Sequence, residues 1–259
     1  MTRNLKLTIL GSGCSFGVPY AGNSWGECDP NEPKNKRSRC ALLVESDTTT
    51  VVIDTGQDFR EQMNKHNVQN VDAVLYTHKH PDHTAGIDDL RIYSIRKGKQ
   101  PLPAYMDQTT YDYLSIAKDY LIEEQHETYP SVLVPHILAP LEKIKIGDID
   151  ITTHTLDHGT ITSTGYRFGN TAYSLDMKSI PEEKSLQSLI GIDTWIVDAG
   201  AYREKNFSVH ANFDEVIALN QKIKAERVIF MSLSNKIDYQ TVSKELPNGY
   251  ELAYDGMII

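Results

Sequence analysis

The stretch Val71-Asp-Ala-Val-Leu-Tyr-Thr77, running directly into His78-Lys-His80-Pro-Asp82-His83, decides how this chain is read. The first part is apolar and of strand length. The second packs three imidazoles and a carboxylate into six residues. Residues two apart in extended backbone project to the same side, so His78 and His80 can grip one cation. A turn at Pro81 redirects Asp82 and His83 toward a neighbouring position. Imidazole nitrogen with carboxylate oxygen suits Zn, Mn or Fe. Two such ions about 3.5–4 Å apart can share one water. A polar loop carrying unrelated histidines rarely produces this grouping.

Outward from the cluster, short strands alternate with helices. Strands are expected at Leu5–Leu10, Cys40–Glu45, Thr50–Asp54, Thr194–Asp198, Arg227–Met231 and Leu252–Ile259. Ile144–Leu156 alternates and reads as a half-buried strand, with His154 on its polar side. Gly165–Asp176 reads as a hairpin turning at Gly169-Asn170. Helices are expected over Phe59–Asn67, from Thr84 through Ile95, over Tyr111–Glu124 and over Phe213–Ala225. The Gly-, Pro- and Asn-rich run from Gly11 to about Arg39 has no regular period and reads as a long loop of the functional or mobile kind. These alternations predict a layered α/β arrangement of two mixed sheets with helices outside, spanning residues 1–259 as one domain.

Composition narrows the function classes. The chain has 259 residues, of which 40% are hydrophobic and 24% charged, so it can bury a sizeable core. No apolar run is long enough for a membrane span, and the first residues read as a strand and not a signal peptide. Three cysteines do not make a disulfide framework, and a cytoplasmic setting is expected. A formal charge of −9 disfavours extended nucleic acid as a partner. Gly11-Ser-Gly13 with Gly17 has the wrong spacing for a dinucleotide fingerprint, and Pro19 stands where a helix should start. The basic run Lys34-Asn-Lys36-Arg37-Ser-Arg39 reads as a solvated loop, with phosphate contact as the alternative. Arg91 is open between phosphate contact and a surface ion pair.

The His/Asp cluster, the strand Val51-Val-Ile-Asp54-Thr-Gly56, the opening Gly11-Ser-Gly-Cys-Ser-Phe-Gly17-Val-Pro19, the run Thr84-Ala-Gly86-Ile-Asp-Asp-Leu-Arg91 and the closing Tyr254-Asp-Gly-Met-Ile together resemble one family. It is the metallo-β-lactamase-fold hydrolases, within them the branch of the phosphonate-pathway cyclic phosphate phosphodiesterase. The resemblance runs from end to end. It implies a four-layer αβ/βα sandwich with a metal site at one edge. It implies metal ligands His78, His80, Asp82, His83, His158 and Asp176, with Asp176 bridging and Asp54 orienting a ligand by hydrogen bonding. It implies Asp82 and His210 as catalytic groups, the latter as general acid, and a homodimer.

Two departures matter. Where the family carries a late histidine ligand, this chain has Ser232, followed by Ser234 and Asn235. A neutral hydroxyl is a weak substitute for imidazole, so the second site is expected to be weaker, with His210 as a candidate replacement. Cys28 and Cys40 fall short of the structural zinc loop of some relatives, and none is expected. Cys14 reads as packing. His66, His126, His136 and His154 read as background.

The expected activity is hydrolysis of a small anionic phosphodiester, cyclic ones included, by metal-activated water with one or two Zn or Mn ions. The alternatives are an RNA-processing nuclease of the tRNase Z type and a catalytically weakened metal-binding protein. Flavodiiron redox chemistry is disfavoured, because that group places Glu where His80 stands.

Overall fold

In the computed structural model, which describes residues 5–123 and 130–259, two mixed sheets pack face to face between helical layers. The first sheet runs β1 (Lys6–Gly11), β2 (Ala41–Glu45), β3 (Thr50–Ile53), β4 (Ala73–Leu75), β5 (Leu102–Met106) and β6 (Leu133–Ile137), each beside the next. β1, β2 and β3 are antiparallel neighbours, and β3 to β6 are parallel. The second sheet runs β7 (Lys143–Ile146), β8 (Ile149–His158), β9 (Ile161–Phe168), β10 (Thr171–Ser174), β11 (Thr194–Asp198), β12 (Arg227–Met231) and β13 (Tyr250–Leu252). Here β7 to β10 are antiparallel and β10 to β13 parallel.

The helices are α1 (Phe59–Lys65), α2 (Pro81–Thr84), α3 (Arg91–Arg96), α4 (Gln108–Ala117), α5 (Asp119–Ile122), α6 (Glu183–Gln187), α7 (Phe213–Ile223) and α8 (Tyr239–Ser243). Three apolar clusters define the layers. Ile9, Leu42, Val51 and Ile53 meet Ile151, Tyr166, Tyr173 and Ile229 between the sheets. Phe59, Met63, Tyr93 and Leu114 cover the outer face of the first sheet. Leu186, Phe213, Val216 and Val242 cover the outer face of the second against Trp195 and Phe230. The four-layer sandwich is therefore present. No helix among the described residues is long and apolar enough to cross a membrane.

Several sequence expectations need correction. The helix expected from Thr84 to Ile95 begins earlier, at Pro81, and breaks at Gly86 into a 3₁₀ turn, Ile87–Leu90, and α3. Pro81 takes the first helical position, where its missing N–H costs nothing. Gly86 lies against the Gly56 carbonyl, closer than any side chain permits. Ile144–Leu156 is not one strand, because Gly147-Asp148 turn it into the β7–β8 hairpin. His154 is buried on the face that continues to Leu156 and the α6 layer. Alternation fails as a guide there because both faces of this sheet are covered. Residues after β13 leave the second sheet and cross to the first, where the Leu7 N–H donates to the Ile259 carbonyl and the Ile9 N–H to Met257. His126 and the end of the expected Tyr111–Glu124 helix lie outside the described residues.

Candidate metal centre

The site is assembled at the carboxyl ends of strands from both sheets. Asp54 follows β3, His78 to His83 follow β4, His158 ends β8, Asp176 follows β10, Asp198 ends β11 and Ser232 follows β12. Crevices at strand carboxyl ends are the usual binding places of α/β sheets. Asp54, Asp176 and Ser232 all take left-handed backbone, with φ of 64°, 52° and 62°. That conformation turns each side chain sharply off its strand, at a cost the surrounding packing must meet.

Asp176 is the hub. Its Oδ2 lies 3.5 Å from His78 Nε2, 3.4 Å from His83 Nε2 and 3.4 Å from His158 Nε2. Of the three cation-sized groups that share it, His78, His80, His158 and Asp176 form one, and Asp82, His83 and Asp176 another. Within each, one ligand atom per residue falls within 4.8 Å of the rest. His78 Nε2 sits 2.8 Å from His80 Nδ1, and Asp82 Oδ2 3.3 Å from His83 Nε2. The six residues expected to bind metal are thus brought together.

The far nitrogens are anchored, which fixes each ring. His83 Nδ1 pairs with Asp54 Oδ2 at 2.7 Å, His158 Nδ1 donates to the Val209 carbonyl at 2.9 Å, and His78 Nδ1 lies 3.1 Å from Thr77 Oγ1. Anchoring the second nitrogen is how metal-ligating imidazoles are oriented. Burial alone would raise the Asp176 carboxyl, but His83 and its neighbours hold it well below the usual carboxylate range. Burial also drives His78 well below ordinary histidine, leaving it neutral and able to ligate. Buried nitrogen and carboxylate donors converging on two adjacent points fit one or two divalent cations.

Sequence reasoning missed Asp198. Its Oδ2 lies 2.6 Å from His210 Nδ1 and accepts from the Met177 N–H at 2.7 Å, while Oδ1 accepts from Gly200 N–H at 2.8 Å. The signal was available: Asp54, Asp176 and Asp198 each close an apolar strand. Asp198, His210 and Asp176 form a third group of possible ligands. Burial disfavours the His210 cation, yet Asp198 and Asp176 raise its value to about 9. Its backbone is pinned by the Ala211 N–H donating to Met177 O, and Asn212 caps α7 through a reciprocal pairing with Glu215. A side chain at Gly200 would contact Asp198, Ser232 and His210 together, which places Ser232 beside this pair.

The other singled-out residues lie elsewhere. Arg37 is buried, donating to the Ser234 and Ile237 carbonyls and to Asn35, and Arg39 pairs with Asp58. Lys34 lies over the rings of Tyr239 and Tyr254. Lys34, Arg37 and Arg39 are thus built into the fold, while Lys36 is exposed as expected of a solvated loop. Arg91 is exposed on α3. His154 bonds Ser174, and His136 stacks on Tyr105. Cys14 lines the site cavity, and burial pushes its thiol up. That cavity, about 400 Å³, opens over His80, Asp82, His158, Asp176 and His210.

Residues 49–231 match the family described as Beta-lactamase superfamily domain. A solved diphosphatase of the PhnP family superposes with a TM-score of 0.87 at 32% identity, covering 98% of this chain and 96% of that one. An octanoyltransferase of Porphyromonas gingivalis is 28% identical over 255 residues, 98% of this chain and 51% of that protein. A ribonuclease Z of Methanopyrus kandleri is 28% identical over 164 residues, 62% of this chain and 50% of that protein. The chain therefore spans about half the length of the curated relatives it matches.

Proposed function

Because the chain belongs to the beta-lactamase superfamily domain family, as a metallo-β-lactamase-fold hydrolase close to the PhnP branch, we propose that it is a metal-dependent phosphodiesterase acting on a small phosphodiester. The observation that carries the proposal is the Asp176 carboxylate, equidistant within 0.1 Å from three anchored imidazoles at 3.4, 3.4 and 3.5 Å.

His78, His80, His158 and Asp176 would hold one Zn or Mn ion, and Asp82, His83 and Asp176 a second. Bound there, the ions would polarise water and the phosphate oxygens. The protein's own groups set the rest. Asp82, its Oδ2 3.3 Å from His83 Nε2, would orient that water or accept its proton. His210, protonated and fixed through Nδ1 by Asp198, presents Nε2 as proton donor to the departing oxygen. Ser232, Ser234 and Thr160 offer hydroxyls around the cavity.

A cavity of about 400 Å³ and a charge of −9 favour a small ester over an RNA chain. Octanoyl transfer is not carried over, since this chain matches only 51% of that relative. The test is turnover of bis(p-nitrophenyl) phosphate and 2′,3′-cyclic AMP by protein loaded with Zn²⁺ or Mn²⁺. Turnover lost in His80→Ala is the expected result. Failure on every diester, with metal bound, overturns the reading.

A further inference from the structure

The chain has six phenylalanines. Phe59, Phe168, Phe213 and Phe230 are buried in the layers, none more than 7% exposed. The other two, Phe16 at 64% and Phe207 at 38%, both line the cavity over the metal-ligating residues. A single exposed apolar ring is common on protein surfaces and explains nothing. Both exposed phenylalanines falling on one cavity, from loops far apart in sequence, is a different observation.

Each ring is held out by a built loop. The Phe16 loop is closed by Gly17 N–H donating to the Cys14 carbonyl and by Arg39 Nε donating to the Ser15 carbonyl. Phe16 itself rests edge-on against Tyr20, centroids 5.2 Å apart. The Phe207 loop is tied by the Lys236–Glu204 ion pair and by Asn212 Nδ2 donating to the Glu204 carbonyl.

Phe207 also continues a row of rings outward from the metal-ligating residues. His80 and His158 lie 5.3 Å apart, His158 and His210 5.2 Å, and His210 and Phe207 5.8 Å with a 34° tilt. Phe207 is therefore one ring beyond the group that donates to the departing oxygen. Whatever hangs from that oxygen lies within reach of its face.

Resting on the phosphodiesterase reading, we propose that the leaving alcohol of the substrate carries a flat aromatic ring system of the nucleoside kind, stacked on Phe207 with Phe16 as a further wall. Stacking of a base on an aromatic side chain is tolerant of base identity, so the cavity selects a class and not one base. Phe207 and Phe16 are specificity residues that leave the bond-breaking groups untouched.

The test compares AMP with ribose 5-phosphate, which lacks the base, by calorimetric titration of the Zn²⁺-loaded protein. AMP binds at least about tenfold more tightly. Phe207→Ala brings the two affinities close together, Phe207→Tyr keeps them apart, and Phe16→Ala narrows the difference. Equal affinities, a ratio unmoved by Phe207→Ala, or binding of neither ligand overturns the proposal. An intact AMP preference without hydrolysis of any diester upholds the aromatic subsite and overturns the phosphodiesterase reading alone.

Discussion

His83 and Asp54 form a fully buried pair, Nδ1 to Oδ2 at 2.7 Å, and Thr77 donates to the same carboxylate through both its N–H and its hydroxyl at 2.8 Å. Asp54 touches no cation position itself. It fixes the His83 ring so that Nε2 faces Asp82 and Asp176. Asp54→Asn keeps the shape and removes the charge. Affinity at the Asp82–His83–Asp176 position falls about 10- to 100-fold, while the other position is little changed. Metal titration with the bound metal counted at each step checks this; equal weakening of both positions goes against it.

Ser232 lies beside Asp198 and His210, where a hydroxyl is a weaker metal donor than an imidazole. Wild-type protein therefore takes up two ions with unequal affinities. Ser232→His adds an imidazole where the backbone is left-handed, a conformation histidine tolerates better than most residues. The two affinities converge in that variant. Titration curves that coincide for variant and wild type would dismiss Ser232 as the cause of the asymmetry.

His210 is read as the proton donor to the departing oxygen. Its removal should then matter in proportion to the basicity of the leaving group. His210→Gln lowers kcat for a diester with an alkoxide leaving group by about 10²–10⁴-fold. A p-nitrophenolate leaving group needs no proton and suffers much less. Equal losses on both substrates would instead make His210 a ligand or a positioning residue.

His154 has its Nε2 2.9 Å from Ser174 Oγ, which also accepts from Trp195 Nε1, and burial, with Arg167 adding, pushes it down to about 3. In the unfolded chain it titrates near 6.5. The unfolded state therefore binds the extra proton first. Stability from this group is complete above pH 6.5 and is lost as pH falls toward 3, by a few kcal/mol. His154→Leu unfolds with a shallower dependence on pH in that window. Denaturant melts at several pH values read the slope directly, and identical slopes would refute the assignment.

Much of this was legible in the residues. The His78–His83 cluster pointed to the candidate metal position because its donors are contiguous, and spacing alone puts them together. His158 and Asp176 needed the family resemblance, since one imidazole before Gly159 or one acid after β10 has no local signature. Asp198 closes an apolar strand as Asp54 does, but that position alone does not set its role, which comes from bonds to Met177 and His210, distant in sequence, beside a local one to Gly200. The error at His154 has a physical origin: period-two patterning reports burial only when one sheet face meets water. Arg37 was misread for a related reason. A charge in a basic run is normally solvated, but here backbone carbonyls of a distant loop replace the water.

The candidate donors divide between the two sheets: His78, His80, Asp82 and His83 issue from the first, His158, Asp176 and Asp198 from the second. An ion seated against Asp176 is therefore a rivet through the sandwich, and pulling the sheets apart means losing it. Metal affinity then enters the unfolding free energy directly, as RT ln(1 + [M]/Kd) for free metal concentration [M] at one site. The melting temperature becomes a gauge of each cation, rising with its concentration and falling with chelator. It ranks Zn²⁺ against Mn²⁺ before any substrate is in hand.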